Sequence, residues 1–352
     1  MNLLIVGDVH WSAYSSIVRR RGDKYSKRLE NLINTVNWIE EMAEQKQCSK
    51  IIYCGDFFDR ADMNAEELTA LQEIVWAQNC EHIMIVGNHE GLTHNLSLSS
   101  MHIFNLIPNV KVIDQPTLIT EFGFRMMCLP YIMEKDRLSI KDYINNGLRE
   151  NPWETQEVKY NIIFSHNDIK MQYGMFESKE GFELDDINTI GQWFFNGHLH
   201  NGSKLGPRAY NLGNITGQNF SEDASQYKHQ VFVFNTYNQE IEFIENPYAF
   251  NFYKLEVKDN NFRLPTTLKN NAVLTIKCPE EYVKDIRELL QQDSRVKEFK
   301  IISVIQNNKK EAIENEVNVF EMVNHLDAFV TYVKDNLEPS DIMMSELVEV
   351  CK

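Results

Sequence analysis

Short runs of three to five apolar residues, each closed by a polar turn, set the rhythm of the first two-thirds of the chain. Leu3-Leu4-Ile5-Val6 runs into Gly7-Asp8, and Ile51-Ile52-Tyr53-Cys54 runs into Gly55-Asp56. Ile83-Met84-Ile85-Val86 meets Gly87-Asn88-His89. Ile162-Ile163-Phe164 meets Ser165-His166, and Trp193-Phe194-Phe195 meets Asn196-Gly197-His198. Runs this short, rich in Ile, Val and Phe, suit buried strands. Between them the period changes. Leu29, Leu32, Ile33, Val36, Ile39 and Ala43 mark one helix face, and Leu68, Leu71, Ile74 and Val75 predict a second. Strand–helix–strand alternation implies βαβ units and an α/β fold. Beyond residue 200 strand follows strand: Ala209 to Leu212, Val231 to Phe234, Ile241 to Ile244. The expectation for residues 1–246 is a β-sandwich of mixed sheets flanked by helices.

At Asn246-Pro247 the character shifts. Phe252 to Val257, Ala272 to Lys277 and Phe299 to Ile305 read as strands, and Glu280 to Gln292 as a helix. Residues 247–306 are therefore expected to form a compact α/β module. A polar linker opens residues 307–352. One helical face follows: Phe320, Val323, Leu326, Val330, Val333 and Leu337. A helix with such a face must bury it somewhere. From Glu311 on, ten acidic residues stand against two lysines, so this segment repels DNA; its apolar face either folds back on the chain's own core or fits a groove on another protein.

Composition narrows the class. With 43% hydrophobic residues among 352, the chain has enough apolar surface to offset the entropy of ordering. No apolar run approaches the roughly 20 residues a membrane helix needs. The six cysteines are scattered without a CxxC pair, which reads as free thiols in a reducing cytoplasm, or a host cytoplasm for a viral protein. A formal net charge of −16 argues against nonspecific coating of nucleic acid. The local exception is Arg19, Arg20, Arg21, Lys24, Lys27 and Arg28, six cations in ten residues opposed only by Asp23. They follow the first strand end and are candidate DNA-backbone contacts.

Five strand ends carry ligand chemistry. In order they are Asp8-Val9-His10, Gly55-Asp56, Gly87-Asn88-His89, His166, and Gly197-His198-Leu199-His200. In open α/β sheets, ligand sites lie beyond the carboxyl ends of strands. Asp8 and His10, like His198 and His200, sit at i and i+2, which on extended backbone points both side chains the same way. Mixed carboxylates and imidazoles suit manganese, iron or zinc better than calcium or magnesium alone. Seven candidates (Asp8, His10, Asp56, Asn88, His166, His198, His200) can serve two metals if one carboxylate bridges. Two divalent ions would leave the site positive, ready to attract a phosphate ester and to acidify a water.

The ordered set resembles the calcineurin-like metallophosphoesterases over about residues 1–245. The resemblance implies one metal on Asp8, His10, Asp56 and His200, and a second on Asp56, Asn88, His166 and His198. It implies that His89 is catalytic, contacting the phosphate and protonating the leaving oxygen. Within that family, Asp56-Phe57-Phe58-Asp59-Arg60 and Asn88-His89-Glu90 are similar to serine/threonine phosphoprotein phosphatases. Those typically carry Gly where this chain has Ala61, and lack a late Gly-His-x-His. That motif, the length, the aromatic strand after Asn246-Pro247 and the helical C-terminus resemble instead the SbcD family, nuclease subunits of double-strand-break repair complexes. The short total length looks most like the bacteriophage versions. Glu90 replaces the Asp usual after the histidine, and either can anchor a histidine loop.

The SbcD resemblance implies a manganese-dependent DNA exonuclease and endonuclease, with magnesium, iron(II) or zinc as alternative metals. It implies a DNA-capping role for residues 247–306. It also implies docking of residues 307–352 on an SbcC-like, SMC-type ATPase, and a homodimer within that complex. A small-molecule phosphodiesterase and a non-catalytic recombination scaffold are the competing expectations.

Overall fold

The computed structural model describes residues 1–15, 21–121, 123–150, 160–173, 176–177, 179–190, 193–220, 222–259 and 262–304. Arg19, Arg20 and the whole of 307–352, with its expected partner-binding helices, lie outside the described residues. Residues 1–305 group as one compact unit.

The strands are β1 (Asn2–Val6), β2 (Cys48–Cys54), β3 (Glu81–Ile85), β4 (Val110–Ile113), β5 (Thr117–Glu121), β6 (Phe124–Leu129) and β7 (Tyr160–Ser165). Four two-residue strands follow: β8 (Ile169–Lys170), β9 (Gln172–Tyr173), β10 (Phe176–Glu177) and β11 (Phe182–Glu183). Then come β12 (Trp193–Asn196), β13 (Ser203–Gly206), β14 (Ala209–Asn211), β15 (Gln230–Asn235) and β16 (Ile241–Glu245). The last three are β17 (Asn251–Glu256), β18 (Ala272–Pro279) and β19 (Val296–Val304). The helices are α1 (Lys27–Gln45), α2 (Ala65–Ala70), α3 (Ile140–Glu150), α4 (Leu184–Ile190) and α5 (Val283–Gln292).

Two six-stranded mixed sheets, ordered β16-β15-β1-β2-β3-β4 and β13-β14-β12-β7-β6-β5, form the sandwich. Side chains alternate between its layers. Leu4, Val6, Ile51 and Tyr53 pack on α1 through Leu29, Leu32, Val36 and Ile39. Leu3, Ile5, Ile52 and Cys54 face the other way, against Met126, Cys128, Ile162, Phe164 and Phe195 of the second sheet. That sheet's outer side, with Met127, Ile163 and Phe194, meets α3 and α4 through Ile140, Tyr143 and Ile187. Because both strand faces are covered, the runs read as continuously apolar. The strands β1, β2 and β3 run parallel, as do β6, β7 and β12. Their carboxyl ends carry the candidate ligands.

The second expected helix stops early. α2 ends at Ala70, a short 3₁₀ turn covers Leu71–Glu73, and Ile74 is extended. The backbone beyond is drawn onto α1: Val75 N–H donates to Asn37 Oδ1 at 2.8 Å and Ala77 N–H to Glu40 Oε2 at 3.0 Å. Those bonds compete successfully with a further helical turn, and Val75 is left exposed.

Strands β17, β18 and β19 form a separate all-parallel sheet covered by α5. Phe250, Phe252 and Val273 pack against Phe220, so the aromatic cluster at 250–252 is core. Among the described residues no helix is long and apolar enough to cross a membrane. The five described cysteines are free and buried.

Candidate metal centre

Local backbone geometry aims the strand-end side chains. His10, Asp56 and His198 all have positive φ, at 51°, 47° and 76°. Such values are costly for residues with a Cβ, and they concentrate at functional sites. They also correct the expected reason for convergence. A left-handed residue interrupts the extended backbone in each pair: Asp8 and His10 converge in one group, while His198 and His200 fall in different ones. Gly55, at φ 88°, is required for a second reason: a Cβ there would lie 2.2 Å from His166 Nδ1.

The side chains form overlapping groups whose candidate ligand atoms lie within 4.8 Å of one another: Asp8, His10 and His200; Asp56, His166 and His198; and His10, Asp59 and His89. Asp56 faces more than one of them. Its Oδ2 is 3.1 Å from His166 Nε2 and 4.0 Å from both His10 Nε2 and His89 Nε2. Asn88 Oδ1 lies 3.1 Å from His166 Nε2 and 3.0 Å from His198 Nδ1. His10 Nε2 and His200 Nε2 are 3.1 Å apart. All seven sequence-singled ligand candidates and His89 are thus brought into one neighbourhood.

Several of these contacts are unsatisfactory without a cation. His166 Nδ1 donates to the Cys54 carbonyl at 2.7 Å, so its Nε2 turns a lone pair towards Asp56 unless it holds a proton or a metal. Asp8 Oδ2 is buried and has no hydrogen-bond partner, a costly state for a carboxylate. His10 Nδ1 sits 3.2 Å from Asp59 Oδ1 without forming a hydrogen bond. The donor set therefore fits divalent cations: buried, converging, mixed oxygen and nitrogen, and short of protons.

The electrostatics agree. Burial disfavours a charge on His166, but the Asp56 carboxylate overrides it and pushes His166 up to about 10. Burial would raise Asp56, yet His166 and His10 hold it well below the usual carboxylate range. Burial raises Asp8, partly opposed by His166. Burial, reinforced by the charge of His10, pushes His200 down to about 4, leaving its lone pair available at neutral pH.

Supporting residues extend the set. Fully buried Glu90 accepts from Phe58 N–H at 2.9 Å and Gly87 N–H at 2.6 Å, tying the Asp56 turn to the Asn88-His89 turn. Burial, with the nearby Asp56 charge, pushes Glu90 up to about 8. His89 Nδ1 donates to the Asp59 carbonyl at 2.8 Å, and the ring is 40% exposed, so Nε2 is accessible. Sequence reasoning passed over Asp59 and Asp168, each now beside a candidate ligand. Their only signal was proximity, Asp59 three residues after Asp56 and Asp168 two after His166. Tyr131 lines the centre, its ring 5.7 Å from that of His198. Arg60 pairs with Glu67 at 2.8 Å and donates to the Asp62 carbonyl. His102 pairs with Asp114 at 3.0 Å, an ordinary polar position.

The basic segment divides. Arg21 pairs with Glu66 at 2.8 Å, Lys24 with Glu73, and Lys27 with Glu30 at 3.8 Å; the three cations stay 67%, 64% and 51% exposed. Arg28 departs from the expectation of a surface contact. It is buried and donates to the Gly217 carbonyl at 3.2 Å and Thr216 Oγ1 at 2.9 Å. It anchors the 216–217 turn, because α1 places that side chain inward.

A family description, calcineurin-like phosphoesterase, matches residues 1–202. No protein of curated function matches the chain. One solved crystal structure is similar over 70% of this chain and 98% of its own, at 12% identity and a TM-score of 0.41.

Proposed function

This chain belongs to the calcineurin-like phosphoesterase family, and from that premise we propose that it is a two-metal DNA nuclease of the SbcD kind. Membership carries metal-dependent hydrolysis of phosphoesters. The observation that most supports a two-metal site is the position of Asp56, whose carboxylate faces both the His10 and the His166 sides.

In this reading Asp8, His10, Asp56 and His200 would hold the first ion, and Asp56, Asn88, His166 and His198 the second. The ions, taken to be manganese(II), supply Lewis-acid stabilisation of the phosphate charge and acidify the attacking water. The chain's own residues do the rest. His166 is fixed by the Cys54 carbonyl with Nε2 inward. His89, fixed through Nδ1, keeps Nε2 free to deliver a proton to the leaving oxygen. Glu90 holds the two loops in register so that this proton arrives in line.

DNA as substrate is supported by the resemblance of Gly197-His198-Leu199-His200 and of the module beyond residue 246. Ala61 in place of the usual Gly and the late Gly197-His198-Leu199-His200 weaken the phosphoprotein-phosphatase reading. Arg19, Arg20, Arg21, Lys24 and Lys27 would meet the duplex backbone. Residues 247–306 would cap the DNA. Residues 307–352 would dock on an SbcC-like ATPase, with two nuclease chains per complex. The role is double-strand-break repair or recombination, and the resemblance favours a bacteriophage setting.

The test is a manganese-dependent assay on single-stranded, duplex and hairpin DNA, with a phosphoserine peptide as control. Metal-dependent DNA cleavage is expected. Rapid peptide dephosphorylation with inert DNA would replace this reading with the phosphatase one.

A further inference from the structure

Metal-ligating imidazoles need their second nitrogen held, because the ring is otherwise loosely oriented about χ2 and its tautomer is unset. The candidate ligands meet this need in different ways. His166 uses the Cys54 carbonyl, a backbone group at the end of β2. His198 uses a side chain: its Nε2 lies 2.9 Å from Asp168 Oδ1, while Nδ1 faces Asn88 Oδ1 at 3.0 Å.

Asp168 is in turn held from behind. Its Oδ2 accepts from Arg137 Nη2 at 3.3 Å. The Arg137 side chain is only 4% exposed, so it is a placed group and not a passing surface contact. It donates to the Ile132 carbonyl at 2.7 Å, pairs with Glu134 and lies over the Phe182 ring, 5.6 Å from its centroid. Glu134 also accepts from Gly181 N–H at 2.9 Å. The guanidinium therefore joins the stretch after β6 to the β8–β11 region, and both to the back of His198. By engaging Oδ2, its Nη2 favours the orientation of the Asp168 carboxylate in which Oδ1 points at the ring.

We propose that Asp168 and Arg137 are positioning residues for the second metal. Asp168 holds the proton on His198 Nε2 and so presents Nδ1 to the ion; Arg137 fixes Asp168. The inference rests on reading His198 as a ligand of that ion. It predicts an asymmetry: the second metal depends on a side-chain pair that mutation can remove, while the first does not touch it.

Manganese binding to the full chain, followed by titration calorimetry, separates the outcomes. Asp168→Ala should weaken one of two sites by about 10–100-fold and leave the other unchanged. Asp168→Asn retains an oxygen acceptor and should recover most of that loss. Arg137→Gln should give a smaller loss at the same site. In the zinc-loaded protein, ring-nitrogen NMR should show His198 protonated at Nε2. His198→Ala is the reference. If it keeps both sites at full affinity, His198 is not a ligand and the reading beneath this inference fails. If His198→Ala loses one site while Asp168→Ala binds both normally, only the positioning pair is overturned. The pair is likewise overturned if Asp168→Asn recovers nothing. Equal weakening of both sites with a lower melting temperature of the metal-free Asp168→Ala protein would assign Asp168 to folding instead.

Discussion

The strand-end loops of the candidate metal centre and the basic segment from Arg21 to Arg28 both concentrate charge, and they end in opposite states. At the strand ends buried polar groups are short of partners: neither Asp8 Oδ2 nor His10 Nδ1 has a hydrogen-bond partner. In the basic segment the cations are already answered, Arg21 by Glu66, Lys24 by Glu73 and Arg28 by Thr216 and Gly217. A fold tolerates buried, unpaired polar groups only where something else completes them. The contrast therefore separates a site whose donor set fits cations from a region whose charges are mostly spent within the protein. Exposed ion pairs of the second kind contribute little and can be exchanged for other partners.

The largest expected effect breaks the first region outright. Asp56→Asn removes a carboxylate that faces both halves, so both metals and all hydrolysis should disappear; metal analysis of the purified variant decides it. A variant retaining two ions would deny the shared role. Next is His89→Gln, for which cleavage should fall by roughly two to four orders of magnitude with both metals retained. Loss of metal in step with activity would make His89 a ligand.

Phe195→Ala asks how far the centre depends on the layers beneath it. Phe195 is fully buried between the sheets, stacked on Phe164, and lies three residues before His198. Chemical denaturation should show a loss of about 3–5 kcal/mol. A loss near zero would mean the sandwich core repacks freely around that position.

The basic region carries the smallest effects. Arg28→Ala should cost about 1–3 kcal/mol of stability, through the carbonyl and hydroxyl left unpaired, without altering the salt dependence of DNA binding. Arg21→Ala should do the reverse. Stability should hold, and the slope of log affinity against log salt should flatten by about 0.9 if Arg21 meets one phosphate. An unchanged slope returns Arg21 to the solvated surface.

Much of this was legible in order along the chain. Each apolar run became a strand, since β1, β2, β3, β7 and β12 are covered on both faces and have no room for polar alternation. The chemistry at their ends was legible for the same reason, as Asp, Asn and His interrupt the pattern where a core strand stops. What escaped depends on distant partners. The early end of α2 is decided by Asn37 and Glu40 on another helix. The inward turn of Arg28 is decided by Thr216, 188 residues away in sequence. Asp168 and Arg137 gain meaning only once His198 lies beside them. The left-handed turns at His10, Asp56 and His198 leave no mark in composition, because Asp and His, though enriched among the non-glycine residues that adopt such a conformation, more often adopt others.

Manganese titration of the metal-free chain, read by electron paramagnetic resonance, tests the central claim most directly. Two ions sharing the Asp56 carboxylate should bind per chain and show the spin coupling of a bridged pair, and the coupling should vanish in Asp56→Asn. A single uncoupled ion at saturation, or two uncoupled ions unaffected by that substitution, would contradict the account.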